Sequence, residues 1–158
     1  MKKFLSKTKQ KGFTLIELLV VIAIIAILAV SVFVALDPVT RFADARNSRR
    51  WSDVNSYLTA VHQYIVDNGG ALPTGMTTSM VETQIGTCPS GGDTICTSAA
   101  GACVNLTAPL AKYLKTLPQD SDTGSAATTG YSVSVDANNL ITIKSCSAEN
   151  SEIVEVSR

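Results

Sequence analysis

Three successive patterns of hydrophobic and polar residues run along this chain, and the first predicts a membrane span. Residues 13–36 are apolar apart from two small hydroxyl residues and one charge, Glu17. At about 1.5 Å per residue, these 24 residues would form a helix of roughly 36 Å. A hydrocarbon core is about 30 Å thick, so the pattern predicts one transmembrane helix over residues 13–36.

The second pattern predicts an amphipathic helix over residues 37–68. Pro38 removes a helical hydrogen bond and disfavours helical geometry at Asp37, so Pro38 is the predicted helix break. Beyond it, apolar residues recur at spacings of three and four, which is typical of one buried helix face. These residues are Trp51, Val54, Leu58, Val61 and Ile65. The helix is expected to end at Asn68, where two glycines follow.

The third pattern predicts a globular head over residues 69–158. Residues 71–104 are rich in small and hydroxyl residues, which indicates loops, whereas the cap and proline at the start of 107–117 favour a short helix. Apolar and polar residues alternate within 131–157, which predicts a β-hairpin and a third strand. The predicted fold class is α+β, with a long N-terminal helix packed against a small antiparallel β-sheet.

Charge is distributed unevenly along the 158 residues, although the formal net charge is zero. Residues 1–12 contain five lysines and no acid, which leaves 8 basic and 13 acidic residues in the rest of the chain. By the positive-inside rule, the N-terminus stays in the cytoplasm and the residues after the span lie outside. The prediction is a single-pass protein of the cytoplasmic membrane.

The N-terminal residues resemble a known processing signal. Lys9-Gln10-Lys11-Gly12 followed by Phe13-Thr14-Leu15-Ile16-Glu17 resembles the class III signal peptide of type IV pilins and of type II secretion pseudopilins. The resemblance implies a pilin-like fold, removal of residues 1–12 by a prepilin peptidase that cleaves after Gly12, and N-methylation of Phe13. It also implies extraction from the membrane by an assembly ATPase and a platform protein into a helical homo-oligomeric filament at the cell surface.

Glu17 is the predicted assembly residue. A carboxylate inside an apolar span costs on the order of 2.5–3.5 kcal/mol on insertion scales, so Glu17 needs a cation. In the family that the chain resembles, this cation is the terminal amine of a neighbouring subunit, here the amine of Phe13. An α-amino group is cationic at neutral pH and methylation keeps the charge, so the pair would neutralise both ions inside the filament.

Two other functions remain as alternatives. One is a pseudopilin of a type II secretion system. The other is a membrane-anchored binding protein or adhesin that does not polymerise, but such an anchor would not need Gly12 or Glu17. An ordinary secretory signal is disfavoured because it has a shorter apolar core and a small-residue cleavage site beyond it.

Four cysteines in the exported part predict disulfides, since their number is even. Three pairings are open; the small-residue loop TSAAGA favours Cys96–Cys103, with Cys88–Cys146 as the second bond. No C-x-x-C occurs and the one histidine, His62, lies on the helix beside its packed face, so no metal site is predicted.

No cofactor is predicted, and calcium is kept as a minor alternative. Asp120 and Asp122 lie in a polar loop over residues 119–124 and offer oxygen ligands to Ca²⁺. Major pseudopilins carry calcium in a comparable loop, but the tryptophan-glycine segment usual there is absent from this chain. The difference favours a pilus subunit over a pseudopilin.

Nucleic-acid binding and catalysis are both disfavoured. Four arginines follow the span and offer contacts to phosphates, but aspartates are interleaved with them, so pairing with neighbouring subunits or lipid headgroups is the preferred interpretation. These arginines are Arg41, Arg46, Arg49 and Arg50. No G-x-S-x-G or P-loop motif occurs, so the chain is predicted to be a structural subunit and not an enzyme.

Overall fold

The computed structural model of the protein describes residues 12–158. The lysines of the predicted leader therefore lie outside the described residues. The described chain divides into two units, and the division falls between Arg41 and Phe42. The first unit contains helix α1, Leu15–Leu36, and the first residues of helix α2, Pro38–Asp67.

Helix α1 is apolar on all sides and has no buried residue within the described chain. A helix that is hydrophobic all round is stable only inside a large core, another assembly or a membrane. It is the part of the described chain that is long and apolar enough to span a membrane, as the first sequence pattern predicted.

The two helices are separated by Asp37, whose backbone is in the left-handed region with φ 37° and ψ 71°. Pro38 then occupies the first position of α2, where its missing N–H costs nothing because no intrahelical partner exists there. The side chain of Asp37 accepts a hydrogen bond from Thr40 Oγ1 at 2.6 Å. Its carbonyl accepts one from Arg41 N at 3.3 Å.

The second unit is an α+β head, which confirms the predicted fold class. Its five strands are β1 (Thr83–Ile85), β2 (Ala100–Val104), β3 (Tyr131–Val135), β4 (Ile141–Ser145) and β5 (Glu155–Ser157). They lie in the order β2-β1-β3-β4-β5, and all neighbours are antiparallel except β1 and β2. The predicted hairpin corresponds to β3 and β4.

The core of the head lies between α2 and one face of the sheet. The buried side chains of α2 include Val54, Tyr57, Leu58 and Val61, and those of the strands include Ile85, Tyr131, Val133, Ile141 and Ile143. The rings of Tyr57 and Tyr131 lie 5.5 Å apart in a tilted arrangement that aromatic pairs prefer. Burial of each large apolar side chain contributes about 1.5–3 kcal/mol, so the amphipathic face of α2 is the main support of the sheet.

Two local details differ from the sequence predictions. Strands β1 and β2 lie within residues 71–104, where composition predicted loops. The helix expected over 107–117 is helical only at Thr107–Leu110, here named α3, because the chain then continues in turns. The third strand of the C-terminal region is confirmed as β5.

The predicted disulfide pairing is wrong. The structure joins Cys88 to Cys103 and Cys96 to Cys146, with Cα atoms 5.1 Å and 4.9 Å apart. The parallel pairing of β2 with β1 brings Cys103 opposite Cys88, whose carbonyl accepts a hydrogen bond from Cys103 N at 3.0 Å. Cys103 therefore bonds to Cys88 at the edge of the sheet and not to Cys96 across the short loop TSAAGA.

Candidate functional site

The predicted assembly residue lies at the N-terminus of α1, where it forms part of a capping box. The side chain of Thr14 accepts a hydrogen bond from Glu17 N at 3.3 Å. In return, Thr14 N and Thr14 Oγ1 each donate to Glu17 Oε2 at 2.8 Å. The first N–H groups of a helix have no intrahelical acceptor, so this reciprocal arrangement stabilises the start of α1.

The second oxygen of the Glu17 carboxylate has no hydrogen-bond donor among the residues that the structure describes. Within residues 12–158, no hydrogen bond reaches Oε1. The carboxylate borders a shallow apolar depression lined by Phe13, Ile16, Val20 and Val21. The site thus combines an apolar surface with one charged acceptor atom, which can bind a cation that brings its own apolar surroundings.

Gly12 and Phe13 directly precede this capping box. Both are exposed, and a Cβ placed on Gly12 would meet no atom within 4 Å. In the unprocessed chain Phe13 N is an amide nitrogen and not a cation. Cleavage after Gly12 would convert it into an α-amino group that is positively charged at neutral pH.

A second group of polar residues lies in the head. We call Arg50 and the two acids that it binds, Asp120 and Glu149, the Arg50 cluster. The side chain of Arg50 is only 2% exposed, although it carries a full charge. It donates from Nε to Asp120 Oδ2 at 2.5 Å and from Nη1 to Glu149 Oε2 at 2.6 Å. A buried charge is tolerated only when it is paired and hydrogen-bonded, so this cluster holds α2 to two separate loops.

The segment 149–152 is bound to α2 by further side-chain contacts. Asn47 Nδ2 donates to Glu149 O at 2.9 Å, and Asn47 Oδ1 accepts from Glu149 N at 3.0 Å. Arg46 forms two short hydrogen bonds with the Glu149 carboxylate, and Trp51 Nε1 donates to Glu152 Oε1 at 2.8 Å. These bonds fix a segment that has no regular secondary structure.

The cluster holds its carboxylates in the charged form. Hydrogen bonds from Arg46 and Arg50 lower the pKa of Glu149 to about 2. Burial alone would raise the pKa of Asp120, but the hydrogen bond from Arg50 and those from backbone N–H groups lower it below the usual value. For Arg50 the directions are reversed: burial alone would lower its pKa, but the hydrogen bonds to Asp120 and Glu149 raise it.

The arginines that follow the span are therefore not equivalent. Arg46 and Arg50 bind acids of their own chain, whereas the side chain of Arg49 is 67% exposed and Arg41 is exposed as well. The sequence analysis missed the buried cluster. A signal existed, because Asn47 and Arg50 continue the three-and-four spacing of the apolar face, but the spacing does not identify their partners.

The two aspartates of the 119–124 loop, kept above as minor candidates for calcium, differ in environment. Asp120 Oδ1 accepts backbone N–H bonds from Asp122 and Thr123 at 3.0 Å each, and Oδ2 accepts from Arg50. Asp122 is exposed. Within residues 12–158, no group of three His, Cys, Asp or Glu side chains is placed to hold a metal ion. His62 is half-buried on α2, and its Nε2 has no hydrogen-bond partner in the described chain.

Comparison with known proteins identifies the N-terminal region only. Residues 7–33 match the family model described as the prokaryotic N-terminal methylation motif. The match covers the predicted cleavage position, the capping box and most of α1. No curated protein and no solved structure matches the chain.

Proposed function

We propose that this chain is a structural subunit of a type IV pilus or a related filament. The proposal starts from residues 7–33, which carry the signature of type IV pilins and pseudopilins. In this proposal a prepilin peptidase cleaves after Gly12, Phe13 is N-methylated, and the mature subunit polymerises through α1. The apolar helix and the motif fit a precursor anchored in the cytoplasmic membrane.

One observation carries the proposal: among residues 12–158, Glu17 Oε2 is hydrogen-bonded within its own helix cap, and Glu17 Oε1 has no hydrogen-bond donor. Oε2 stabilises the start of α1 through Thr14, and Oε1 remains for an external donor. The methylated amine of Phe13 from a neighbouring subunit is cationic and carries an apolar ring that suits the surface around Glu17. Each ion then compensates the desolvation of the other.

The surface of α1 suits packing in a filament as well as residence in lipid. All its large apolar side chains are exposed, so packing against the helices of neighbouring subunits can replace their lipid contacts. A contact between Phe13 of one copy and Glu17 of the next is heterologous, and heterologous contacts that do not close produce helical fibres.

Two features of the 119–124 loop favour a pilus over a pseudopilin. The tryptophan-glycine segment of the pseudopilin calcium site is absent, and both oxygens of Asp120 already accept hydrogen bonds within the chain. The pseudopilin function remains the second candidate because it shares the N-terminal motif. The Arg50 cluster disfavours a DNA-uptake role, since two of the four arginines are engaged internally.

Replacement of Glu17 tests the proposal. Glu17→Gln removes the charge but keeps an oxygen that can accept from Thr14, so we expect normal membrane insertion and a loss of filaments. The control is Ser31→Ala, which removes the other hydrogen-bonding side chain in the apolar part of α1 and should leave assembly intact. Membrane fractionation measures insertion, and electron microscopy of sheared surface material measures filaments.

Filament formation at normal levels by Glu17→Gln would contradict the proposal and favour the non-polymerising anchor. Loss of membrane insertion in the same variant would show that Glu17 acts in targeting. Normal insertion with loss of filaments, while Ser31→Ala still assembles, is the outcome that the proposal requires.

A further inference from the structure

The edge of the sheet at β2 is covered by the loop that precedes it. Gly92 N donates to Gly101 O at 2.8 Å, and Cys103 N donates to Cys88 O at 3.0 Å. These outward-facing groups of β2 would otherwise lie open to solvent or to another chain. We call residues 88–92 the edge guard.

The inner side of β2 is occupied by β1. Ala100 N donates to Glu82 O at 2.9 Å, and Gly86 N donates to Val104 O at 3.0 Å. Residues 101 and 103 therefore direct their backbone groups away from the sheet, toward the edge guard. The edge guard takes the position that a sixth strand would otherwise occupy.

Glycine at position 92 is required for this close approach. A Cβ on Gly92 would lie 2.8 Å from Ala100 O, a distance that real Cβ atoms essentially never show. From beneath, the buried side chain of Gln84 donates to Gly92 O and accepts from Gly130 N at 3.2 Å. Backbone hydrogen bonds, the Gln84 side chain and the close packing at Gly92 together hold the edge guard against β2.

The disulfide between Cys88 and Cys103 joins the edge guard to the strand that it covers. Its two residues are also the two that share a backbone hydrogen bond across the edge. The other disulfide joins Cys96, beyond the edge guard, to Cys146 at the end of β4. The first bond therefore holds the cover in place and the second does not.

Apart from an irregularity in its pairing with β1, strand β2 itself has few of the usual protections of an exposed edge. Residues 99–104 contain no charge and no proline, and Gly101 and Ala102 are exposed. Natural edge strands are commonly blunted by lysine, proline, bulges or a covering segment. In this chain, the edge guard supplies that protection for β2.

We propose that the edge guard is a redox-controlled cover, and that its opening lets β2 pair with β2 of a second copy of the chain. Closure is a two-electron oxidation: the thiols of Cys88 and Cys103 lose two protons and two electrons, and the disulfide of an external thiol oxidant accepts them and becomes a dithiol. Opening is the reverse step: an external dithiol reductant gives two electrons and two protons to the Cys88–Cys103 disulfide and itself becomes a disulfide. The choice of a second copy rests on the proposed filament subunit, which meets its own copies at high local concentration. The cover itself does not depend on that function.

Two pairs of cysteine variants test the cover in the full chain in detergent micelles. Cys88→Ser with Cys103→Ser frees the edge guard, and Cys96→Ser with Cys146→Ser is the control that also removes one disulfide. We expect hydrogen exchange at the amide of residue 103 to be about tenfold faster or more in the first variant only, with β3 and β4 still protected. We also expect concentration-dependent association of the first variant, measured by size-exclusion chromatography.

A glycine pair tests the same cover with both disulfides intact. Gly92→Ala places a Cβ against Ala100 O and should open the edge guard, whereas Gly101→Ala adds a Cβ that meets nothing within 4 Å. Adding Gly101→Lys to the freed cysteine variant should abolish its association, because a lysine on an open edge opposes strand pairing.

Three results would overturn the proposal. The first is equal exchange at residue 103 in both cysteine variants, and the second is loss of protection in β3 and β4, which would mean that the bond holds the whole head. The third is association that persists with Gly101→Lys, which would place the contact elsewhere. Failure of the Glu17 test would leave the cover intact, whereas equal exchange at residue 103 in both cysteine variants of a chain that still forms filaments would refute the cover alone.

Discussion

At the scale of single residues, Arg50 is the side chain on which the head depends most. Removing one partner of a buried ion pair leaves an uncompensated charge and costs about 3–5 kcal/mol. Arg50→Met leaves Asp120 buried without its cation, so we expect the free energy of unfolding to fall by about that amount. Urea denaturation of the full chain, followed through its one tryptophan, measures the change.

The neighbouring arginine provides the control. The side chain of Arg49 is 67% exposed and lies 3.9 Å from Asp53, and exposed pairs of this kind contribute about 0–1 kcal/mol. Arg49→Met should therefore change stability little. Equal effects of Arg49→Met and Arg50→Met would contradict the energetic role assigned to the Arg50 cluster.

The lowered pKa of Glu149 predicts a specific loss of stability in acid. Its pKa falls from the ordinary 4.5 to about 2 in the folded chain, so its contribution is fully present above about pH 4.5. It is lost as the pH falls through about 2, because the folded state then also binds the proton. We expect the difference in unfolding free energy between the native chain and Glu149→Gln to shrink over this range, as measured by urea denaturation at each pH. A constant difference would argue against the pairing.

The environment of Asp120 predicts that calcium does not stabilise the head. A calcium ion would have to displace Arg50 from Oδ2 and backbone N–H groups from Oδ1. Melting temperatures in millimolar Ca²⁺ and in excess chelator should therefore agree. A rise with calcium that Asp122→Asn removes would restore the calcium alternative.

At the scale of elements, the sequence predicts those whose residues repeat with a clear period. Helix α2 and the hairpin of β3 and β4 are recognisable because their buried faces follow the helical and strand periods. Strand β1 has three residues and β2 is built from small residues, so neither carries a period that a sequence pattern can reveal. Cys103 lies on β2 and its partner Cys88 lies just after β1, so this disulfide depends on a strand contact that the sequence pattern does not reveal.

The polar residues described above also differ in how far the sequence predicts them. Gly12, Phe13 and Glu17 are predicted from a local motif, since their proposed chemistry depends on neighbours in sequence. The Arg50 cluster joins residues about 70 and 100 positions apart, and no local pattern specifies such partners. Its one local signal is the position of Arg50 on the apolar face of α2.

The junction between α1 and α2 supports a prediction about helix continuity. Asp37 in the left-handed region is costly for a non-glycine residue, and Pro38 disfavours the helical alternative. Replacing both by alanine should make residue 37 helical and merge the two helices, whereas Asp37→Gly should keep the break. Backbone chemical shifts of the chain in micelles would detect the change. A left-handed residue 37 in the double variant would show that another contact imposes the break.

At the scale of the whole molecule, the two units have different chemistry and therefore different roles. Helix α1 of the first unit has an apolar surface with Glu17 as its acid, and this surface can be satisfied only by lipid or by similar helices. The head has its own core, its own ion pairs and two disulfides, so it can fold outside the membrane before any filament forms. This separation suits the proposed filament subunit, whose apolar helix would leave the bilayer while its head stays folded.

Processing after Gly12 should change the charge of the molecule as well as its mass. The full chain has no net charge and an isoelectric point of about 6.5, and the leader holds five lysines without an acid. In a host that has a prepilin peptidase, we expect the isoelectric point to fall, because 8 basic residues then face 13 acidic ones. Mass spectrometry should show an N-terminal Phe13 that carries one methyl group. Gly12→Leu should block the cut and keep the higher isoelectric point, and a mature N-terminus at any other residue would contradict the proposed processing.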